Sequence, residues 1–200
     1  MKKLLSFIVF SILVVASCSS AKVKRVDSDT EIDVSGYWND TDVRKVAESI
    51  VNNCLNSPRI KNFPAQHGGK LPVVILGSYR NQSDEHIDTS ILSKKIETAL
   101  INSGMVDFVA DSKQRVEIDA ELEYQQGHAS EETAKNLANA TGADFMMQGS
   151  VKTIIDADKK TTVRSYFVST ELIDIERHLK IFADENDEIK KVIGKAKIRK

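Results

Sequence analysis

Pro72-Val73-Val74-Ile75-Leu76-Gly77 is a continuous aliphatic run closed at both ends by residues that interrupt regular structure. It is too short for an ordinary helix and rich in β-branched residues, so it reads as a strand of the kind covered on both faces. Downstream, the polar loop Arg80-Asn81-Gln82-Ser83-Asp84-Glu85-His86 leads to Asp88-Thr89-Ser90, whose short side chains can cap a helix. Leu92, Ile96, Ala99 and Leu100 follow at helical spacing, and Gly104 ends the helix. Val106 to Ala110 is the next strand. A strand, helix, strand order implies two parallel strands joined by a right-handed crossover.

Upstream, Asn39-Asp40-Thr41-Asp42 supplies capping side chains for a helix whose apolar stripe is Val43, Val46, Ala47, Ile50, Val51, Cys54 and Leu55. Cys54 falls on that stripe and reads as a small core hydrophobe. Trp38, just before the cap, can staple the chain's entry to the body or meet a partner. Pro58, Pro64 and Gly68-Gly69 mark a loop between this helix and the first strand.

Beyond the second strand the rules conflict. Val116, Ile118, Ala120, Leu122 and Tyr124 alternate with polar residues, which argues strand, while the helix formers that fill Ser112 to Gln126 argue helix. The residues alone leave both open. Ser130, Glu131 and Glu132 open a clearer helix with Ala134, Leu137, Ala138 and Thr141 on its stripe and Gly142 at its end. The remainder is rich in β-formers: Ala143 to Ile155, Thr161 to Ile175, His178 to Ala183 and Ile189 to Ile198. Asp156 to Lys160 and Asp184 to Asp187 read as hairpin connections. Tyr166, Val168, Thr170 and Leu172 share one strand face, and Arg164, in phase with them, is expected beyond the core edge. The fold class is therefore α/β, a small mixed parallel and antiparallel sheet flanked by about four helices.

The amino terminus carries a different message. Lys2 and Lys3 precede an apolar stretch from Leu4 to Val15, and Val15-Ala16-Ser17-Cys18 has the form of a lipoprotein cleavage site. As a helix, Leu4 to Ser17 would rise only about 21 Å against a hydrocarbon core of roughly 30 Å, too short to span. Residues 1–17 are expected to be a signal peptide, 18–35 a tether lipidated at Cys18, and 36–200 one binding domain. The tether is rich in Ser, Lys and Asp and reads as disordered.

Of 28 basic and 29 acidic residues, the signal removes two lysines and no acid, leaving a net charge near −3, which excludes a strongly basic nucleic-acid binder. Lipidation of Cys18 leaves Cys54 as the other cysteine, so the fold holds without an internal disulfide. His67, His86, His128 and His178 lack a second ligand at metal spacing, and no P-loop, dinucleotide fingerprint or nucleophile elbow is present. His86 beside Asp84 and Glu85 is the best local cluster, explained equally by an exposed polar loop. The expectation is a non-catalytic binding protein with no cofactor and no metal.

Several segments together resemble one family: Gly36-Tyr37-Trp38-Asn39-Asp40-Thr41-Asp42; Pro72-Val73-Val74-Ile75 with Arg80-Asn81; His86-Ile87-Asp88-Thr89; Ala99 to Gly104; Ser130 to Lys135; and Gly142-Ala143-Asp144-Phe145-Met146-Met147-Gln148-Gly149. The chain resembles the LpoB family of penicillin-binding protein activators, over about Gly36 to Ile175. The resemblance implies a domain like the amino-terminal domain of TolB and the curli-secretion lipoproteins, with Ser112 to Gln126 helical. It further implies a lipoprotein on the periplasmic face of the outer membrane that stimulates a bifunctional peptidoglycan synthase. The alternative is a subunit of a curli-type secretion lipoprotein. The loop after the first parallel strand is where open α/β sheets present binding surfaces. The expected docking residues are accordingly Arg80, Asn81 and His86 with the following cap at Asp88 and Thr89, and Trp38 as a further contact.

Overall fold

The computed structural model describes residues 23–126 and 142–194, in which no helix is long and apolar enough to cross a membrane. The lipobox, Cys18 and the helix expected from Ser130 lie outside the described residues. Residues 23–31 carry no regular element, only a turn in which Thr30 N–H donates to the Asp27 carbonyl. The body begins at Ile32.

Helix α1 (Asp40–Asn56) starts as its sequence dictates. The Asn39 side chain accepts from the Asp42 N–H and Asp42 returns the bond to the Asn39 N–H, a capping box. Its stripe is buried from Val43 to Cys54 as the spacing requires, with Val46 and Ile50 wholly inside and Leu55 partly exposed. The expected loop is instead two single-turn helices, α2 (Pro58–Lys61) and α3 (Phe63–Gln66). Pro58 and Pro64 sit at their starts, where a missing N–H costs nothing, so these prolines open helical turns rather than merely breaking them.

Strand β1 (Val73–Asn81) runs past the apolar stretch and includes Arg80 and Asn81, which the sequence placed in a loop. Val74 and Tyr79 are buried while Val73, Ile75, Leu76 and Gly77 are partly exposed, so β1 is fully covered on one face only. Helix α4 (Thr89–Asn102) follows with Asp88 as its cap, then β2 (Asp107–Phe108), a two-residue strand where five were expected. Helix α5 (Ser112–Gln126) resolves the conflict in favour of helix. Asp111 caps it by accepting from the N–H groups of Lys113 and Gln114. Period-two alternation wound on a helix spreads apolar residues around the axis, which leaves Val116, Ile118 and Tyr124 exposed.

Strands β3 (Phe145–Ala157), β4 (Thr161–Asp174), β5 (Leu179–Asn186) and β6 (Lys190–Gly194) complete the sheet. Its order is β2-β1-β3-β4-β5, parallel among β2, β1 and β3 and antiparallel from β3 onward, with β6 paired to the other end of β4 from β5. Asp184 and Glu185 belong to β5, not to a connection, because they continue its ladder with β4. Helices α1 and α4 pack against each other and against one face of the sheet, where Leu92, Ile96 and Leu100 meet Val74, Met147, Val151, Val168 and Leu172. Each such fully buried aliphatic contributes roughly 1.5–3 kcal/mol of transfer free energy. Cys54 is part of this core, and burial, with the charge of Asp184, pushes its thiol up to about 12.

One close approach demands glycine. A Cβ on Gly149 would lie 2.4 Å from the Ser169 carbonyl and 2.5 Å from the Tyr79 ring. Its absence lets Tyr79 lie across β3 and reach the Thr170 hydroxyl at 3.0 Å.

Candidate functional site: a groove built on Arg164

Arg164 is not beyond the core edge. It is buried at 8% exposure, in phase with Tyr166 and Val168 as the alternation requires, and the loop after β1 folds over to neutralise it. Its Nη1 donates to Asp84 Oδ2 at 2.8 Å and to Glu85 Oε1 at 2.8 Å. Burial disfavours its charge, but the two carboxylates outweigh that and hold the guanidinium above its usual range. Arg164 Nε is buried with no partner among the described residues.

Glu85 is the hub. Its side chain is only 8% exposed, and besides Arg164 its Oε1 accepts from the Tyr166 hydroxyl while Oε2 accepts from the Trp38 N–H at 3.0 Å. Burial first, and then the Glu85 carboxylate, push the Tyr166 hydroxyl up. The Trp38 ring lies 5.3 Å from that of Tyr166 at 53°, and the Arg164 guanidinium sits 4.7 Å over the Tyr37 ring. Asp84 is more exposed. It accepts from the Thr153 hydroxyl at 2.8 Å, and that bond, followed by Arg164, holds its carboxyl below the usual range.

A second clamp fixes the segment that brings Tyr37 and Trp38 here. Lys191 on β6 reaches Asp33 and Asp42, each at 2.7 Å, and donates to the Tyr37 carbonyl at 2.8 Å. The body's contacts therefore include Ile32, whose carbonyl accepts from Asn39 Nδ2, and Asp33, both within the stretch read as tether. Gly36, at φ +73°, passes so close to Ile193 that a Cβ would stand 2.5 Å from its Cγ1. A side chain there would push the segment off its course.

The result is a groove of about 730 Å³ between the start of α1, the loop before α4 and β4. Trp38 and Ile87 form its apolar floor, Tyr37 (48% exposed) and Ile91 (58% exposed) its upper walls, and Asp40, His86 and Lys95 its polar rim. Large apolar side chains left exposed on a rigid frame suit recognition of another surface. Among the described residues no group of three or more His, Cys, Asp and Glu could hold a metal ion.

The structure brings Trp38, His86 and Asp88 together here and sends Arg80 elsewhere. Arg80 stands opposite Ser150 on the other sheet face, in a depression with Gln82, Gln148 and Lys152. Asn81 organises the loop from within: Oδ1 accepts from the Ser83 N–H and hydroxyl, and Nδ2 donates to the Glu85 carbonyl at 2.7 Å. Thr89 donates its hydroxyl to the Tyr79 carbonyl, tying α4 to β1. Sequence reasoning missed Arg164, Glu85, Tyr166 and Lys191. The available signal was a charged residue in phase with a buried face, which requires a buried partner of opposite sign.

A family model described as peptidoglycan-synthase activator LpoB matches residues 42–187, well over half of the chain. Among solved structures, the LpoB C-terminal domain from Salmonella enterica is 14% identical, with 72% of this chain and 96% of that one covered and a TM-score of 0.43. The LpoB C-terminal domain from Escherichia coli is 13% identical, with 62% and 82% covered and a TM-score of 0.37. A lipoprotein from Neisseria meningitidis is 12% identical, with 63% and 85% covered and a TM-score of 0.32. No curated protein matches the chain. The match to the family model, over residues that include the whole β1 to β5 sheet and most of α1, carries the assignment. The chain belongs to the LpoB family of peptidoglycan-synthase activators.

Proposed function

We propose that this chain is a non-catalytic lipoprotein, anchored through Cys18, that docks on a bifunctional penicillin-binding protein and raises its rate of peptidoglycan synthesis. Membership of the activator family is the observation that carries this reading. Ser19 after Cys18, in place of Asp, favours the periplasmic face of the outer membrane. The groove at Trp38, Tyr37, His86 and Ile91 is the docking surface. It offers exposed apolar side chains on a frame whose charges are already paired, so little ordering entropy opposes binding. Activation is then a population shift, in which the groove binds the working conformation of the synthase more tightly than the resting one.

The test is co-purification of the full chain with the bifunctional synthase of its own envelope, comparing the natural chain with Ile91→Glu. Ile91 is exposed on α4, so the change alters the groove wall without disturbing the core. Equal recovery of synthase by both chains would move the docking surface elsewhere, and no recovery by either would sink the reading itself.

A further inference from the structure

The charges around the groove are paired at its base but do not balance. Two carboxylates, Asp84 and Glu85, stand on the single guanidinium of Arg164. Glu85 is spent inward, since Oε1 accepts from Arg164 and the Tyr166 hydroxyl and Oε2 from the Trp38 N–H. The surplus charge therefore falls to Asp84, whose side chain is 39% exposed. On the rim, Asp40 and Asp88 are exposed and form no ion pair among the described residues; Asp88 gives Oδ1 to the Ser90 N–H and hydroxyl and keeps Oδ2 open. Four carboxylates against two cations, Arg164 and Lys95, line the groove, a formal charge of −2 with His86 neutral. The starts of α1 and α4 also border it, and each contributes about half a positive charge, which lessens the excess without reversing it.

Between these acids the lining is aromatic and aliphatic. Tyr37 already holds one guanidinium, that of Arg164, 4.7 Å from its ring centre, and nearly half of its surface stays open. Trp38 and Ile91 continue the apolar lining. Carboxylates set around aromatic rings suit a side chain that is apolar along its stem and cationic at its tip. An acidic side chain would meet Arg164 with two carboxylates already on it, leaving Lys95 as its cation.

We propose that the segment of the synthase received by this groove is basic, presenting an arginine or lysine whose stem lies along Trp38 and Ile91 and whose charge meets Asp40, Asp84 and Asp88. This rests on the docking proposed above and adds the chemistry of the partner. The buried stem supplies affinity, while the acids supply orientation and speed of encounter, so the pairing weakens as salt rises. Lys95, one turn on from Ile91 along α4, repels a cation and so directs it to the acidic end.

Two substitutions at one exposed position separate charge from shape. Ile91→Glu and Ile91→Lys both remove the apolar wall and differ in the sign they bring. Binding of the full chain to the purified bifunctional synthase of its own envelope should weaken with both, about fivefold more with Ile91→Lys than with Ile91→Glu at ~0.05 M salt, and the gap should close at ~0.5 M. Asp88→Asn, which keeps a capping side chain on α4, should bind about twofold more weakly than the natural chain. Lys95→Gln should bind about twofold more tightly, a gain that no loss of folding can imitate. Equal weakening by the two Ile91 variants, with Lys95→Gln unchanged, would show that the groove docks without reading charge and would overturn the basic partner while leaving the docking in place. The reverse order, with Ile91→Glu the weaker binder, would assign an acidic segment and overturn it equally. Affinity altered by neither Ile91 variant would remove the docking surface itself, and this inference with it.

Discussion

Glu85 and Arg164 stand 79 residues apart in the chain and 2.8 Å apart in the fold, both buried, with the Tyr166 hydroxyl and the Trp38 N–H on the same carboxylate. Three segments of the chain meet at that one group: the entry to α1, the loop after β1 and strand β4. The groove exists because the loop after β1 must deliver an acid to a cation that strand alternation has forced inside.

Removing one partner of a buried ion pair leaves the other uncompensated. Arg164→Met should therefore destabilise the domain by about 3 kcal/mol, and Arg164→Met with Glu85→Gln should recover much of the loss. Urea unfolding of four chains, the natural one, Arg164→Met, Glu85→Gln and the double variant, checks it. A double variant as unstable as the sum of its single changes would show that the two residues act independently.

Gly149→Ala should cost about 1–3 kcal/mol, because its new methyl must displace either the Ser169 carbonyl or the Tyr79 ring. Thermal melting of Gly149→Ala beside Gly69→Ala, where nothing lies within 4 Å of the added atom though φ is +86°, separates crowding from backbone strain. A smaller loss at Gly149 than at Gly69 would contradict the packing described for Tyr79.

Acid should weaken the fold in a definite window. Asp84 and Asp174 are held below the ordinary carboxylate range, Asp84 by Thr153 and then Arg164, Asp174 by Arg177. A depressed folded-state value contributes stability that is complete above the unfolded value near 4 and is lost as pH falls through the folded one. Melting temperature should hold from about pH 8 to 5 and fall below about 4. Asp84→Asn should flatten that fall modestly, since Asp84 is 39% exposed and its pairing is screened by solvent. An unchanged acid slope in the variant would remove Asp84 from the account.

The Cys54 thiol, pushed up to about 12, should react with a maleimide slowly in the folded domain and rapidly in denaturant. Fast stoichiometric labelling without denaturant would place Cys54 outside the core.

Much of this architecture was legible because local chemistry and tertiary burial agree. The capping side chains of Asn39 and Asp88 and the stripe from Val43 to Cys54 announce helices that the fold then uses as written. Helix α5 was not legible from its residues, because alternation and propensity point to different elements there and its apolar side chains do not gather on one face. The strand ends were also hidden. Arg80 and Asn81 look like loop residues, yet pairing with Ser150 and Val151 extends β1 through them and turns Arg80 to the far face. Trp38 and His86 could be named as candidates but not brought together, since the ion pair that does so joins residues with no local relation.

The measurement that bears most directly on the central claim is the rate of glycan polymerisation and peptide cross-linking by the purified bifunctional synthase from the same envelope, with and without this chain. The account predicts a saturable rise in rate with the natural chain, and at least a tenfold higher half-saturating concentration with Ile91→Glu, on the order of the 1.4 kcal/mol expected for losing one well-packed contact. An unchanged rate at saturating concentrations of the folded natural chain would contradict it.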